Sequence, residues 1–287
     1  MIALATALRK RARVDFYGRL LREAKLDRTA ELDSTLPELL LGEGTVTGVT
    51  SDSFIVSVAL RRYAEAYLYS WTQLYRRAES QRSVLEHLRG HAPLAWRLVT
   101  SYYLSFFSSG MIRTASGRVT IALDDDDSAQ LLRKSAIGSP KLDSGMYFGR
   151  AEFSDFDNSI VVKMRFGGEK PHRAAWTQFV QVAGGALDDA DEASRALVDR
   201  LREDVRAGRS PSDIRNKWNY SEPLLYGPRG EETSKRFDSL APGTGNVKEW
   251  LTRRQPPASD LSAEFIAVLT SVLWRTVELM NDEHVVR

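Results

Sequence analysis

The side chains best suited to chemistry lie in one short polar segment near residue 215. Arg215 is followed directly by Asn216 and Lys217, and Tyr220 stands five residues after the arginine. A guanidinium presents a planar fork of donors that matches phosphate oxygens, and a neighbouring amide can hydrogen-bond the same group. The segment therefore predicts a phosphate-binding site. The alternative is that Arg215 bridges two helices through a buried salt bridge.

Two basic stretches are candidates for further contacts with phosphate groups. Residues 1–28 carry eight Lys or Arg against three Asp or Glu, and a second stretch runs from Arg200 to Lys217. Clustered basic side chains attract phosphate backbones, although such charges are more often solvated helix faces. The net charge of the whole chain is only +2, so any attraction for phosphate must come from these local clusters.

The residue types and motifs missing from the sequence exclude several kinds of site. The chain has no cysteine, which excludes disulfides, thiolate catalysis and cysteine-ligated zinc or iron–sulfur centres. No Walker loop, dinucleotide-binding fingerprint, nucleophile elbow or His-Glu-x-x-His motif is present. The acidic run Asp124–Asp127 could collect Mg²⁺, but an N-cap for the following helix is the interpretation that we favour. We therefore expect no metal site and no cofactor.

The spacing of apolar residues indicates the elements that must position these groups. Apolar residues at helical spacing predict helices, and an alternation with a period of two predicts strands. A Pro37-containing segment, a turn region at 42–48 and a loop-rich region at 221–258 separate some of them. The predicted helices are 3–25, 60–88, 93–112, 171–182, 191–207, 214–220, 247–253 and 261–280, the predicted strands are 119–123, 145–153 and 159–166, and residues 53–58 form either a strand or the lead-in to a helix.

This pattern predicts a mainly α protein. We expect a basic helical extension over residues 1–57 and a helical bundle over residues 58–287, interrupted by a small β-rich insertion at about 118–168. No apolar run approaches the roughly 20 residues that a membrane-spanning helix needs. The basic residues near the N-terminus follow the first apolar stretch, the reverse of the order in a secretory signal. A soluble, cytoplasmic protein is therefore expected.

The predicted helix at 93–112 combines aromatic and small residues. Tyr102, Tyr103, Phe106 and Phe107 are interleaved with Ser101, Ser105, Ser108 and Ser109. Small residues let a neighbouring helix approach closely, and aromatic residues at helical spacing usually fill a core. The helix is therefore predicted to pack its serines against another helix and to bury its aromatic rings.

Two motifs together resemble the HEPN superfamily. These are Ser-Tyr-Tyr-x-x-Phe-Phe, which begins at Ser101, and Arg-Asn-x-x-Asn-Tyr-Ser, which begins at Arg215. The resemblance covers about residues 58–117 and 190–282, and it implies a four-helix bundle from a mostly RNase-related group that is common in toxin–antitoxin and antiviral defence systems. Members bring an arginine, a polar residue and a later histidine from two protomers together to cleave RNA without metal. Tyr220 stands here where that histidine is expected.

The resemblance implies an RNA-cleaving or RNA-binding homodimer. Arg215 would stabilise the charged transition state, Asn216 would orient the scissile phosphate, and Tyr220 would donate a hydrogen bond or relay a proton, with the 2′-hydroxyl as nucleophile. A phenol with a pKa near 10 is a poor base at neutral pH, which favours the alternative of a non-catalytic module that scaffolds a partner nuclease or ATPase. The residues expected to contact the RNA are Lys217, Arg209 and Arg206.

Overall fold

The computed structural model describes residues 2–26, 33–90, 92–135, 141–167, 170–220, 228–242, 247–252 and 261–284. The fold is mainly helical and includes one five-stranded antiparallel sheet, which confirms the predicted class. The helices are α1 (Ile2–Ala12), α2 (Gly18–Ala24), α3 (Leu36–Gly42), α4 (Leu60–Leu88), α5 (Leu94–Ala115), α6 (Asp125–Lys134), α7 (Pro171–Gly184), α8 (Glu192–Arg206), α9 (Pro211–Tyr220), α10 (Pro228–Leu240), α11 (Val247–Thr252) and α12 (Leu261–His284).

Two short segments of other helical types complete the helical part. A π-helical segment, Arg13–Tyr17, lies between α1 and α2, and a 3₁₀ turn, Leu187–Asp189, lies between α7 and α8. At the end of the π segment, a Cβ on Gly18 would lie 2.6 Å from the carbonyl oxygen of Arg13. A glycine is therefore required at that position.

The sheet has the strand order β1-β2-β5-β4-β3, and every neighbouring pair is antiparallel. Its strands are β1 (Thr45–Thr47), β2 (Ser53–Ala59), β3 (Arg118–Leu123), β4 (Gly145–Phe153) and β5 (Ser159–Phe166). The three predicted strands are confirmed, and the open alternative at residues 53–58 is resolved in favour of a strand. Residues of one face, such as Val56, Val119 and Val162, are buried, whereas most residues of the opposite face are half-buried or exposed.

Two predictions about irregular segments were wrong. Residues 36–42, taken as part of a proline-containing connection, form α3, because Thr35 and Glu38 close a capping box and Pro37 falls in the first turn. Residues 228–240, taken as loop, form α10. Pro228 is the first residue of that helix, a position at which proline is well tolerated, and Phe237 provides its buried anchor.

The chain forms two compact units. Unit 1 comprises residues 1–11, 74–112 and 175–282, and unit 2 comprises residues 12–73, 113–174 and 283–287. Within unit 1, α5 packs against α12 through hydroxyl groups, since the Thr270 Oγ1 atom lies 2.7 Å from Ser101 Oγ and 2.6 Å from Ser105 Oγ. Unit 2 contains the sheet and the α6 helix.

Unit 2 also holds a buried aromatic cluster around His284. The imidazole stacks on Trp71 with ring centroids 3.7 Å apart and an interplanar angle of 9°, and its Nε2 atom lies 2.5 Å from the Tyr67 hydroxyl. Tyr17 packs against the same ring at 4.7 Å, and its hydroxyl donates to Glu283 over 3.1 Å. The last turn of α12 is therefore held by stacking and hydrogen bonding together.

Candidate functional site

The start of α9 places Arg215 on a well-capped helix. Gly208, with φ +73°, follows α8 in the left-handed conformation that favours glycine. The Asp213 carboxylate then accepts hydrogen bonds from the Ser210 backbone N–H at 2.9 Å and from the Ser210 hydroxyl at 2.5 Å. The helix predicted at 214–220 is confirmed, and it begins three residues earlier, at Pro211. It puts Arg215 in the second turn, where the local backbone is fixed by this cap.

Arg215 lies against two tyrosine rings of α5, both within unit 1. Its guanidinium carbon is 5.1 Å from the ring centroid of Tyr102 and 5.6 Å from that of Tyr103, within the range of cation–π attraction. The Nη1 atom donates a long hydrogen bond of 3.4 Å to the Tyr103 hydroxyl. The Nε atom is buried and has no hydrogen-bond partner among the described residues.

Arg97 shows what a structural arginine looks like in the same unit. It is only 4% exposed, and its Nη1 atom lies 2.5 Å from both carboxylate oxygens of Asp238. Its Nη2 atom donates to the Ser234 hydroxyl. Arg215 has no comparable carboxylate partner in the part of the chain that the structure describes. The interhelical salt bridge considered from the sequence is therefore not seen among these residues.

The α5 helix turns its small residues inward and much of its aromatic surface outward. Ser101, Ser105, Ser108 and Ser109 are buried, as predicted. The prediction that the aromatic rings are buried is wrong for three of the four, because only Tyr102 is buried and the others are half-buried. Close approach of α12 requires the small residues at the contact, which leaves the larger rings at the rim. This outward set, named here the aromatic stripe, consists of Trp96, Tyr103, Phe106 and Phe107.

The aromatic stripe is continuous with the Arg215 contact. Trp96 is 62% exposed and precedes Tyr103 by seven residues, which places both on one side of α5. Tyr103 stacks on Phe107 with ring centroids 6.2 Å apart and an interplanar angle of 28°, and Phe106 packs edge-on against Phe107 at 5.9 Å. Since Tyr103 also contacts Arg215, flat apolar faces and a cation lie side by side on this surface.

Tyr102 is not suited to proton transfer at neutral pH. Burial raises the pKa of its hydroxyl well above the ordinary value of a phenol, although the charge of Arg215 acts in the opposite direction. Tyr102 therefore remains a neutral phenol, and its role at the site is to present a ring face to the guanidinium.

The other predicted site residues lie in varied surroundings. Asn216 and Lys217 are exposed on α9, and Arg206 is exposed at the end of α8. Arg209 is paired with the Asp204 carboxylate at 3.1 Å, so its charge is partly neutralised. Tyr220 is the last residue of α9, and its side chain lies outside the described residues. The structure thus joins Arg215 to Tyr102 and Tyr103, which were not predicted as its partners.

Many charges of the two basic stretches are paired with acids. In the first stretch, Lys10 pairs with Asp189 at 3.0 Å and Arg19 pairs with Glu23 at 2.8 Å. In the second, Arg202 pairs with the carboxylate of Asp199 at 2.6 Å. Such pairs lower the local positive potential that a phosphate would meet.

The acidic run at residues 124–127 acts as a helix cap. The Asp124 carboxylate accepts from the Asp127 backbone N–H at 2.8 Å, and the Asp127 carboxylate accepts in return from the Asp124 backbone N–H at 3.4 Å. This confirms the capping interpretation. Within the described ranges no cluster of three or more His, Asp or Glu is arranged to hold a metal ion. No helix among the same residues is long and apolar enough to cross a membrane.

Comparison of the chain with protein-family models, with curated proteins and with solved structures found no match.

Proposed function

We propose that the chain is a HEPN-like protein that binds single-stranded RNA at Arg215 and the aromatic stripe. It cleaves the bound RNA as a metal-independent endoribonuclease. The observation that carries the proposal is the set of contacts that the Arg215 guanidinium makes. Its guanidinium lies over two tyrosine rings, its only polar contact among the described residues is the 3.4 Å hydrogen bond to Tyr103, and no carboxylate among them pairs with it.

A phosphate group would supply the anionic partner that Arg215 lacks among the described residues. Contact with the rings of Tyr102 and Tyr103 holds the guanidinium against α5, and the Arg215 side chain is half-buried there. The N–H donors of a guanidinium match phosphate oxygens, and such charge-assisted bonds are about twice as strong as neutral ones. Asn216, exposed one residue later on α9, adds an amide for hydrogen bonding.

Unpaired bases fit the neighbouring aromatic stripe. Every base has a flat π face that stacks on an aromatic ring, and such a contact contributes about 1–3 kcal/mol per base. Bases inside a duplex are already stacked on one another and cannot use these rings, so the stripe favours single-stranded RNA. Trp96, at 62% exposure, is the ring of the stripe most accessible to a base, since Tyr103, Phe106 and Phe107 are half-buried.

The proposed reaction draws only on RNA, the protein and water. The 2′-hydroxyl oxygen attacks the adjacent phosphorus, the bond to the 5′-oxygen breaks, and the products are a 2′,3′-cyclic phosphate and a free 5′-hydroxyl. Arg215 stabilises the additional negative charge of the phosphorane-like transition state. Solvent hydroxide takes the proton of the 2′-hydroxyl, and Tyr220 donates a proton to the departing 5′-oxygen. The Tyr220 phenolate then takes a proton from water, which restores the hydroxide, and cleavage should accelerate as pH rises towards the pKa of the phenol.

The alternative function is a non-catalytic interaction module that scaffolds a partner nuclease or ATPase of a defence system. One observation favours it, namely the tyrosine that stands where a histidine base is expected. The two functions differ in whether bound RNA is cut.

The test uses a 5′-labelled single-stranded oligoribonucleotide incubated with the full chain in the presence of EDTA. The proposal expects products with 2′,3′-cyclic phosphate ends, no cleavage of the same oligonucleotide with 2′-deoxyribose throughout, and loss of cleavage in Arg215→Ala. Arg77→Ala removes an exposed arginine from α4 and serves as the matched control. Binding without cleavage would favour the interaction module, and absence of both binding and cleavage would refute an RNA function.

A further inference from the structure

The outer face of the sheet carries a row of positive charges. In the strand register, Arg118 on β3 lies opposite Arg150 on β4, and Arg150 lies opposite Lys163 on β5. Arg150 and Lys163 are exposed and Arg118 is half-buried. Arg165, two residues after Lys163, is exposed on the same face. Four cations therefore occupy three adjacent strands.

This arrangement is unfavourable for the isolated sheet. Like charges directly opposite each other on neighbouring strands destabilise the pairing. Burial and the charge of Arg150 both lower the pKa of Arg118, with Asp15 acting in the opposite direction. Among the residues that the structure describes, Lys163 alone of the four has an acidic side chain in contact, the Glu152 carboxylate at 2.9 Å. Asp15 and Glu152 offset part of this repulsion, and a bound polyanion would relieve more of it.

An aromatic ring lies among these cations. Phe148 is opposite Arg165 and precedes Arg150 by two residues, so it shares their face. Its ring is half-buried and is seated over Gly167, where a Cβ would come within 2.0 Å of the ring edge. The glycine therefore leaves the space that the ring occupies.

We propose that this face, made of Arg118, Phe148, Arg150, Lys163 and Arg165, is a second binding surface for single-stranded RNA, distinct from the Arg215 site. The cations bind the phosphate backbone and Phe148 stacks on one base. The choice of RNA as ligand rests on the proposed function, whereas the presence of a polyanion-binding face rests on the register of the strands alone.

The nearby surface argues against an anionic membrane as the ligand. Phe156, in the connection between β4 and β5, is 99% exposed and would be the natural apolar anchor. It is flanked by Asp155 and Asp157, both exposed, whose charges would be repelled by anionic lipid headgroups. A single strand of RNA needs no such anchor, because its bases supply the apolar contact to Phe148.

The experiment measures fluorescence anisotropy of a labelled 20-nucleotide oligouridylate over a series of salt concentrations. The double variant Arg150→Gln/Lys163→Gln should bind more weakly and should reduce the slope of log K against log salt by about 1.4, or about 0.7 for each lost phosphate contact. Phe148→Ala should weaken binding roughly tenfold with the slope unchanged. Arg76→Gln/Arg77→Gln, two exposed arginines of α4, is the matched control for lost charge.

Arg215→Ala in the same assay separates the two proposals. If it weakens binding while the sheet variants retain wild-type affinity and slope, the second surface is refuted and the Arg215 site stands. If the sheet variants weaken binding and Arg215→Ala does not, the sheet surface stands without the first site. The assignment to RNA would be overturned if wild-type and Phe148→Ala protein bound RNA with equal affinity and the wild-type protein bound heparin as tightly as it bound RNA. Circular dichroism melts of each variant exclude unfolding as the cause.

Discussion

Replacing Arg215 and Arg97 separately by alanine should have opposite consequences for stability and activity. Both arginines belong to unit 1, but Arg97 is buried in an ion pair with Asp238, whereas Arg215 rests on two tyrosine rings without a carboxylate partner among the described residues. The two substitutions remove the same side chain from these contrasting surroundings. We expect Arg97→Ala to destabilise the fold and Arg215→Ala to impair RNA cleavage.

The contacts of each arginine determine how much free energy of unfolding its replacement removes. Removing one partner of a buried ion pair costs about 3–5 kcal/mol. The Asp238 side chain is 25% exposed, so water can solvate its carboxylate when Arg97 is removed. The lower end of that range therefore applies to Arg97→Ala. For Arg215→Ala, a cation–π contact at a partly exposed site contributes about 0.5–1 kcal/mol, and the 3.4 Å hydrogen bond adds little. We therefore expect about 1 kcal/mol for Arg215→Ala.

Both variants should be measured for melting and for cleavage on the same preparations. At roughly 2–4 °C per kcal/mol for a chain of this size, Arg97→Ala should melt on the order of 10 °C early and Arg215→Ala only a few degrees early. Cleavage by Arg215→Ala should fall about a hundredfold or more, the effect of losing one preorganised donor to the transition state. Early melting of Arg215→Ala, comparable to that of Arg97→Ala, would show that Arg215 is a structural residue. Full activity in Arg215→Ala would remove it from the site.

Three further predictions concern other features of the chain. Tyr67→Phe removes the 2.5 Å contact to buried His284 and should cost about 1–3 kcal/mol in urea unfolding, whereas an unchanged midpoint would show that the ring stacking alone holds the cluster. Hydrogen bonds from Thr35 lower the pKa of Glu38, so the stability that they add is complete above the unfolded-state pKa and is lost as pH falls through the folded one. The free energy of unfolding should therefore fall less steeply with decreasing pH in Glu38→Gln than in the wild-type protein, and equal slopes for the two proteins would contradict this. Light scattering at micromolar concentration should show a homodimer or larger assembly, and a clean monomer would exclude a site composed of two Arg215 residues.

The elements governed by local patterns could be predicted from the sequence. Strand β4, for example, follows from its alternating pattern, and the start of α9 follows from a serine and an aspartate around Pro211. In each case the deciding residues lie within one turn or one strand of the element that they define. Helix α10 was missed because Pro228 resembles a loop signal and is equally compatible with the first turn of a helix.

The surroundings of the candidate site could not be predicted in the same way. The serines of α5 were predicted to pack against another helix, but the exposure of its aromatic rings depends on which neighbour the helix meets, and contact with Thr270 puts the serines and not the rings on the buried side. The contact between Arg215 and Tyr103 joins residues 112 positions apart, and no local pattern encodes that proximity. The like-charged row on the sheet likewise depends on the strand register, which is set by pairing between β3, β4 and β5.

The stacking of Trp71 on His284 gives unit 2 a built-in optical reporter. Trp71 is one of six tryptophans, it is 2% exposed, and the ring that covers it belongs to the last turn of α12. Release of that turn would admit water to the indole and move its emission to longer wavelength. The difference between the spectra of wild-type and Trp71→Phe protein isolates this one fluorophore. Fraying of the last turn of α12 could thus be followed in real time, without a label, while RNA or a second protomer is added.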